Sequence, residues 1–237
     1  MKKTFIEMYH LNLVKGHLVA EINEKQFIVD TGSPVTIFSS SSADTTLWEG
    51  ASGGVSRHDN LLASISEFTG IELDGLLGMD TLSRINFSIS LKDQRLIVSN
   101  GNIKGEGELV PLESFSGVPV VKILSEGKVT PTIIDTGAQL SYFPPELVEN
   151  LEPKGTLKDF HPSFGWFETP VYEKTIEIAR KTIAIRGGIL PKEMRFLLTT
   201  KFILGVQLFN NFDADFLMVG SLLRLRRLDT GSDTDEQ

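Results

Sequence analysis

A short motif occurs twice in this chain with matching neighbours, and this internal repeat constrains the fold more than any other feature. Val29-Asp30-Thr31-Gly32-Ser33 ends one apolar run, and Ile134-Asp135-Thr136-Gly137-Ala138 ends another. Further along each copy, a hydroxyl residue and a phenylalanine stand at the same offsets: Thr36 and Phe38, then Ser141 and Phe143. Two matched copies are typical of a chain built from two related units.

A second landmark follows each copy. A glycine, a bulky apolar residue four positions later and another three beyond that recur in register: Gly78, Leu82 and Ile85, then Gly205, Phe209 and Phe212. We therefore predict an N-terminal lobe over residues 1–104 and a C-terminal lobe over residues 105–228. Residues 229–237 are acidic and polar, and are predicted to form a disordered tail.

Composition limits the chemistry. A net charge of −8 and a pI near 5.1 argue against a nucleic-acid partner or a basic membrane-surface protein, since both need positive potential. The chain has no cysteine, and its four histidines are scattered, so we expect no metal and no cofactor. Charged and polar residues interrupt the apolar residues near the N-terminus. We expect a cytoplasmic protein, with secretion as the alternative.

Most segments have the pattern of short strands. Apolar runs or alternations of four to seven residues are bounded by turn residues, as in His17–Asn23, Gln26–Val29 and Thr182–Ile185. Helical patterns are few and short: Pro144–Leu151 and Met79–Ile85. The sequence predicts an all-β class.

The repeated motif can place two acids together. Glycine tolerates a sharp turn after a strand, and small neighbours let two such loops approach each other. If the halves pack about a pseudo-twofold axis, Asp30 and Asp135 meet across it. Two carboxylates about 3 Å apart cannot both ionise readily, so one keeps its proton and the pair can supply acid and base.

These motifs resemble those of the pepsin-like and retropepsin-like aspartic peptidases, in which an apolar-apolar-Asp-Thr-Gly loop precedes an apolar-apolar-Gly segment. The resemblance implies a two-lobed acid-protease fold with pseudo-twofold symmetry, similar to a retropepsin dimer fused into one chain. It implies catalytic roles for Asp30 and Asp135 and cross-dyad hydrogen bonds from Thr31 and Thr136. The other loop residues would support the dyad: Gly32, Ser33, Gly137 and Ala138.

The resemblance also implies a peptide or protein substrate and activity as a monomer, because both halves of the site are on one chain. Leu76-Leu77-Gly78 and Ile203-Leu204-Gly205 would thread behind their own loops. Ser33 could donate a hydrogen bond to Asp30 that Ala138 cannot give to Asp135. We therefore expect unequal carboxyl groups and a mildly acidic pH optimum.

The two halves differ in length between their landmarks. Residues 33–75 separate them in the first half, and the longer stretch 138–202 separates them in the second. A flap hairpin needs about 12 to 20 residues, so we predict a flap only in the second half, at Phe164, Gly165 and Trp166. The alternative places Phe164, Trp166 and Phe167 in the core.

Other interpretations stay open at this point. Thr31 and Thr136 could cap their own turns instead of bonding across the dyad. A third copy, Asp229-Thr230-Gly231, has only polar residues after it and is predicted to be silent, and Arg224 and Arg226 are predicted on an outward strand face. The main alternative function is a non-catalytic peptide-binding or scaffold protein with a retained fold; another is a structural strand-rich module.

Overall fold

Short apolar runs bounded by turn residues form strands along most of this chain. The computed structural model describes residues 4–40, 47–48, 56–161, 164–197 and 202–228. The predicted tail and its Asp-Thr-Gly copy at Asp229 lie outside the described residues. Within the described part, strands far outnumber helices, so the predicted all-β class is confirmed.

The first half folds into strands joined by tight turns. Asn23 and Glu24 both have positive φ (52° and 64°), as a two-residue hairpin turn requires. The helices here are α1 (Asp59–Thr69) and α2 (Met79–Leu82). The strands are β1 (Ile6–Val14), β2 (His17–Ile22), β3 (Lys25–Val29), β4 (Ile37–Phe38), β5 (Ser56–Arg57), β6 (Gly75–Leu77), β7 (Asn86–Ser90) and β8 (Arg95–Ser99).

The second half has longer strands and short 3-10 helices. The strands are β9 (Glu108–Pro111), β10 (Glu113–Phe115), β11 (Val118–Ser125), β12 (Lys128–Ile134), β13 (Ser141–Tyr142), β14 (Gly155–His161), β15 (Gly165–Ile178), β16 (Lys181–Gly188), β17 (Phe202–Leu204), β18 (Phe212–Leu217) and β19 (Leu222–Arg227). The 3-10 helices are Pro145–Leu147, Lys192–Leu197, Val206–Asn210 and Met218–Gly220.

Strand pairing repeats between the halves. β3 runs parallel to β6, which runs antiparallel to β4. In the same way, β12 runs parallel to β17, which runs antiparallel to β13. Val29 lies opposite Leu77, and Ile134 lies opposite Leu204, so the register repeats as well. The matched motifs therefore occupy matched places, and the predicted two-lobed fold with pseudo-twofold symmetry is confirmed.

The closing hairpins of the two halves join them. β7 pairs antiparallel with β18, which continues one sheet from the first half into the second. Phe87 and Phe216 are fully buried at this junction, and their rings stack with centroids 4.4 Å apart. The division into residues 1–104 and 105–228 stays a prediction, because this sheet contains strands from both.

A buried acid organises the end of that sheet. Asp215 is fully buried and accepts hydrogen bonds from three side chains: Ser88 Oγ (2.6 Å), Arg224 Nη1 (3.0 Å) and Arg226 Nη1 (2.6 Å). The prediction of an outward arginine face was wrong for Arg224 and Arg226. A buried carboxylate is costly unless it is paired, and these two guanidinium groups pair it.

The helices agree with the prediction at Met79 and differ from it elsewhere. Pro144–Leu151 contains only the single 3-10 turn Pro145–Leu147, and the expected helix at Met79 is the one-turn α2. The longest helix, α1, was not predicted. Its residues Leu62 and Ile65 are buried, and Gly70 ends it in the left-handed conformation (φ 74°).

Candidate active site

Each Asp-Thr-Gly loop begins where a parallel strand pair ends. Asp30 follows β3, and its N–H donates to the carbonyl oxygen of Leu77 on β6 (3.0 Å). Asp135 follows β12, and its N–H donates to the carbonyl oxygen of Leu204 on β17 (3.0 Å). The second landmark of each half thus lies behind its own loop and anchors it.

The landmark glycines are required by close packing. A Cβ at Gly78 would lie 2.2 Å from the carbonyl oxygen of Val35, and one at Gly205 would lie 2.5 Å from that of Ala138. Thr36 Oγ1 accepts from the N–H of Gly78 (3.0 Å), and Ser141 Oγ accepts from that of Gly205 (3.2 Å). The repeated hydroxyl residue and the repeated glycine therefore form one structural unit.

The two threonines bond across the loops. Thr31 Oγ1 donates to the carbonyl oxygen of Ile134 (2.7 Å) and accepts from the N–H of Thr136 (3.0 Å). Thr136 Oγ1 donates to the carbonyl oxygen of Val29 (2.6 Å) and accepts from the N–H of Thr31 (2.9 Å). Both threonines are fully buried, so neither is free to cap its own turn. This reciprocal set of bonds holds the two loops together.

The loop glycines bring the two carboxyl groups together. A Cβ at Gly32 would lie 2.2 Å from Cγ of Asp135, and one at Gly137 would lie 2.5 Å from Cγ of Asp30. Each carboxyl group therefore packs against the glycine of the opposite loop. No larger residue fits at either position without displacing an acid.

Hydrogen bonds and burial set the charge of this pair. Asp30 Oδ1 accepts from the N–H groups of Gly32 and Ser33 (2.9 Å each), and Asp135 Oδ1 accepts from that of Gly137 (2.9 Å). Loss of water contact raises the pKa of both carboxyl groups, and the charge of Asp135 raises the pKa of Asp30 further. The pair therefore keeps one proton at a pH where isolated carboxyl groups have lost theirs.

The hydroxyl group of Ser33, which Ala138 lacks, does not bond Asp30. Ser33 Oγ donates to the carbonyl oxygen of Val35 (2.8 Å), so the predicted hydroxyl bond to Asp30 was wrong. Serine in a turn commonly bonds a backbone group two residues on, and that local partner is taken here. Both residues still donate their N–H groups to the aspartate of their own loop.

A cleft of about 550 Å³ opens over the two aspartates. Apart from the acids, its walls are mainly apolar. Side chains from both halves contribute: Ile37, Leu61 and Leu76 from the first, and Val118, Ile133 and Leu190 from the second. The cleft can therefore hold apolar groups beside two carboxyl groups that share a proton.

The segment predicted as a flap forms a hairpin beside this cleft. Its strands β14 and β15 pair directly, and Gly165 at the turn has a φ of 75°. Phe164 and Trp166 are 44% and 52% exposed, so they are not core residues. Phe167 is half-buried and packs against the apolar cluster of the second half, and it lines the cleft together with Phe160. The role of the hairpin as a flap stays a prediction.

The first half contributes a helix where the second contributes the hairpin. Leu61 and Ile65 of α1 line the cleft. Phe68, near the end of α1, has its ring centroid 5.0 Å from that of Trp166 and 5.6 Å from that of Phe160. Among the described residues between 33 and 75, no hairpin of flap length occurs. The helix and the hairpin meet through these aromatic rings.

Sequence reasoning missed a third acid in the cleft. Asp159 on β14 is buried and bonds Tyr142 Oη, Gln139 Nε2 and the N–H of Phe160. Its charge also raises the pKa of Asp135. An acid in a short strand is ordinarily read as solvent-facing, so only its contacts reveal it.

The described residues contain no group of three or more His, Asp or Glu side chains placed to hold a metal ion. No helix in the described part of the chain is long and apolar enough to cross a membrane. The expected absence of cofactors and the cytoplasmic location stay predictions.

Comparisons with known proteins add little to this geometry. No protein-family model and no curated protein matches the chain. Among solved structures it is similar to the protease of simian foamy virus (mac), at 16% identity and a TM-score of 0.30, over 37% of this chain and 88% of that one. It is also similar to a foamy viral protease-reverse transcriptase solved with an RNA/DNA hybrid, at 14% identity and a TM-score of 0.30, over 43% of this chain and 11% of that one.

Proposed function

We propose that this protein is an aspartic endopeptidase in which Asp30 and Asp135 activate a water molecule for peptide-bond hydrolysis. The observation that carries the proposal is the reciprocal packing of the loops, with each carboxyl group against the glycine of the other. This packing supports a shared proton, because two buried, adjacent carboxylates repel each other. A pair with one proton can act as acid and base at once.

The chemistry then needs no other group. The ionised carboxylate accepts a proton from water while the water oxygen attacks the scissile carbonyl carbon. The protonated carboxyl group donates its proton to the carbonyl oxygen, so a neutral tetrahedral diol forms and the dyad again holds one proton. Collapse of the diol breaks the C–N bond, with one proton passed to the leaving nitrogen and one returned to the dyad. The products are a carboxylic acid and an amine.

Supporting roles follow from the contacts. We assign Thr31 and Thr136 to holding the loops together, and the hairpin around Gly165 to covering the substrate. Because both aspartates belong to one chain, a single copy contains both parts of the site. We therefore propose that the protein acts as a monomer on an extended peptide or protein segment.

The test is cleavage of casein and of fluorogenic peptides, with and without a statine-type transition-state analogue. We expect turnover that the analogue blocks and that Asp30→Asn abolishes. Asp229→Asn is the matched control, since it changes the third Asp-Thr-Gly copy and should leave turnover unchanged. Tight binding of the analogue without any turnover would instead support the non-catalytic peptide-binding alternative.

A further inference from the structure

A third carboxyl group in the cleft wall forms no ion pair with the lysine and arginine side chains that the structure describes. Asp159 is only 4% exposed. Its Oδ1 accepts from Gln139 Nε2 and from the N–H of Phe160 (2.7 Å), and its Oδ2 accepts from Tyr142 Oη. All three donors are uncharged, so they hold the carboxyl group in place without adding a positive charge. Buried carboxylates are ordinarily paired with a cation.

The rest of the cleft does not supply that cation. Its described lining contains three aspartates and one histidine, but no lysine or arginine. Lys158, next to Asp159 in the chain, instead lies over the ring of Trp166, with Nζ 4.5 Å from the centroid. A cleft lined by one sign of charge concentrates ligands of the opposite sign.

Two histidines near Asp159 do not offset its charge near neutral pH. Burial lowers the pKa of both His17 and His161, although the charge of Asp159 raises the pKa of each in part. His17 is buried against Phe68, and its Nε2 has no hydrogen-bond partner among the described residues. Both rings are thus mainly neutral at pH 7.

Apolar side chains of the first half and of β10 also line the cleft. At the position where the second loop continues with Gln139, the first loop continues with Pro34. Val35 and Phe115 line the cleft, and the two residues are 45% and 42% exposed. The cleft therefore offers a peptide both an acid, at Asp159, and exposed apolar surface, at Val35 and Phe115.

We propose that Asp159 is a specificity-determining residue that selects a lysine or arginine side chain of the substrate close to the scissile bond. The cationic group lies against Asp159, and the apolar side chains of the peptide lie toward Phe115. This assignment rests on the proposed peptidase function and names its substrate class. Substrate binding supplies the cation that the described lining of the cleft does not contain.

The experiment uses fluorogenic peptides that differ at one position. Lysine and norleucine match in length but differ in charge. They are compared at the position just before the cleaved bond and at the position just after it. We expect kcat/KM at one position to favour lysine by about 10- to 100-fold, the range for a hydrogen bond to a charged group. The Asp159→Asn variant should bring the lysine-to-norleucine ratio of kcat/KM close to one, and this ratio cancels any change in the dyad that affects both peptides equally.

Controls separate charge selection from structural support. The amide oxygen of asparagine can still accept from Gln139 Nε2 and the N–H of Phe160, and its amide nitrogen can donate to Tyr142 Oη in place of the bond that Asp159 accepts. Thermal melting checks that the variant is folded. Glu168→Gln removes an exposed acid of the same hairpin and should leave the lysine preference intact. Equal loss of cleavage for both peptides in Asp159→Asn would overturn the proposal in favour of a positioning role, as would a wild-type preference below about twofold.

A binding measurement keeps this test independent of turnover. The lysine and norleucine peptides are titrated into Asp30→Asn protein, and we expect the lysine peptide to bind more tightly. If the wild type cleaves neither peptide but this preference holds, the peptidase proposal fails and the Asp159 site stands. If cleavage occurs without any lysine preference, the Asp159 proposal alone fails.

Discussion

The two halves of this protein carry almost the same catalytic loop but surround it differently. Each loop leaves a parallel strand pair, is anchored by an apolar-apolar-Gly segment and is linked to the other through a threonine. Above the loops, the first half has helix α1 and the second has the β14–β15 hairpin. Two carboxyl groups can meet only if both loops keep one geometry. Helix α1 and the β14–β15 hairpin, here called the cover, carry no such requirement, so they can differ between the halves.

The largest expected effect tests whether the loops are equivalent. Asp30→Asn and Asp135→Asn should each lower kcat by about 100- to 10,000-fold, because either change removes the shared proton. Peptide kinetics and circular dichroism on both variants measure activity and folding. Substantial activity in both folded variants would refute the dyad. A large loss in only one would show that the loops are not equivalent.

The threonines test the same symmetry through stability. Thr31→Val and Thr136→Val each leave a buried carbonyl and a buried N–H without the hydroxyl partner. We expect each to lower the free energy of unfolding by about 1–3 kcal/mol, and by similar amounts, in urea titrations. Thr69→Val is the matched control, because that buried hydroxyl donates only to carbonyl oxygens within α1. We expect this variant to lose less stability than the two loop variants. A loss no larger than the control's would contradict a cross-loop role.

A pair of tryptophans tests the difference in cover. Trp48 is 2% exposed, whereas Trp166 is 52% exposed at the hairpin turn. Trp48→Ala should cost about 3–5 kcal/mol of stability, and Trp166→Ala about 1 kcal/mol or less. Trp166→Ala should instead raise KM or lower kcat, since a mobile cover contributes contacts to substrate. Equal drops in Tm for the two variants would remove the flap assignment.

The smallest expected effect concerns Ser33. We expect a bell-shaped pH profile, in which full protonation of the dyad causes the acid limb and loss of the shared proton causes the alkaline limb. Burial raises the pKa of Asp30, so the alkaline limb should lie above the range of an ordinary carboxyl group. Ser33→Ala should move neither limb, because the hydroxyl donates to Val35. A shifted limb would show that it reaches Asp30.

The strand-like pattern was enough to predict the fold class, and the repeat was enough to predict the place of both loops. Strand-ending aspartates, loop glycines and landmark glycines depend on local backbone geometry, which short motifs encode directly. The matching offsets of Thr36 and Ser141 already indicated that the repeat extends beyond the loops themselves. Helix α1 was missed, although Leu62 and Ile65 have helical spacing, because the strand-like pattern elsewhere dominated the interpretation.

Long-range packing decided what the sequence left open. Whether Arg224 faces solvent depends on the buried Asp215, which lies opposite it on the neighbouring strand. Ser33 bonds Val35 and not Asp30 because the turn brings the nearer carbonyl into reach. Asp159 belongs to the cleft because Tyr142 and its neighbours hold it there, and a strand's alternation cannot say which partners its inward side will meet. Sequence motifs determine local geometry, whereas the environment of a charged side chain arises only when distant segments pack together.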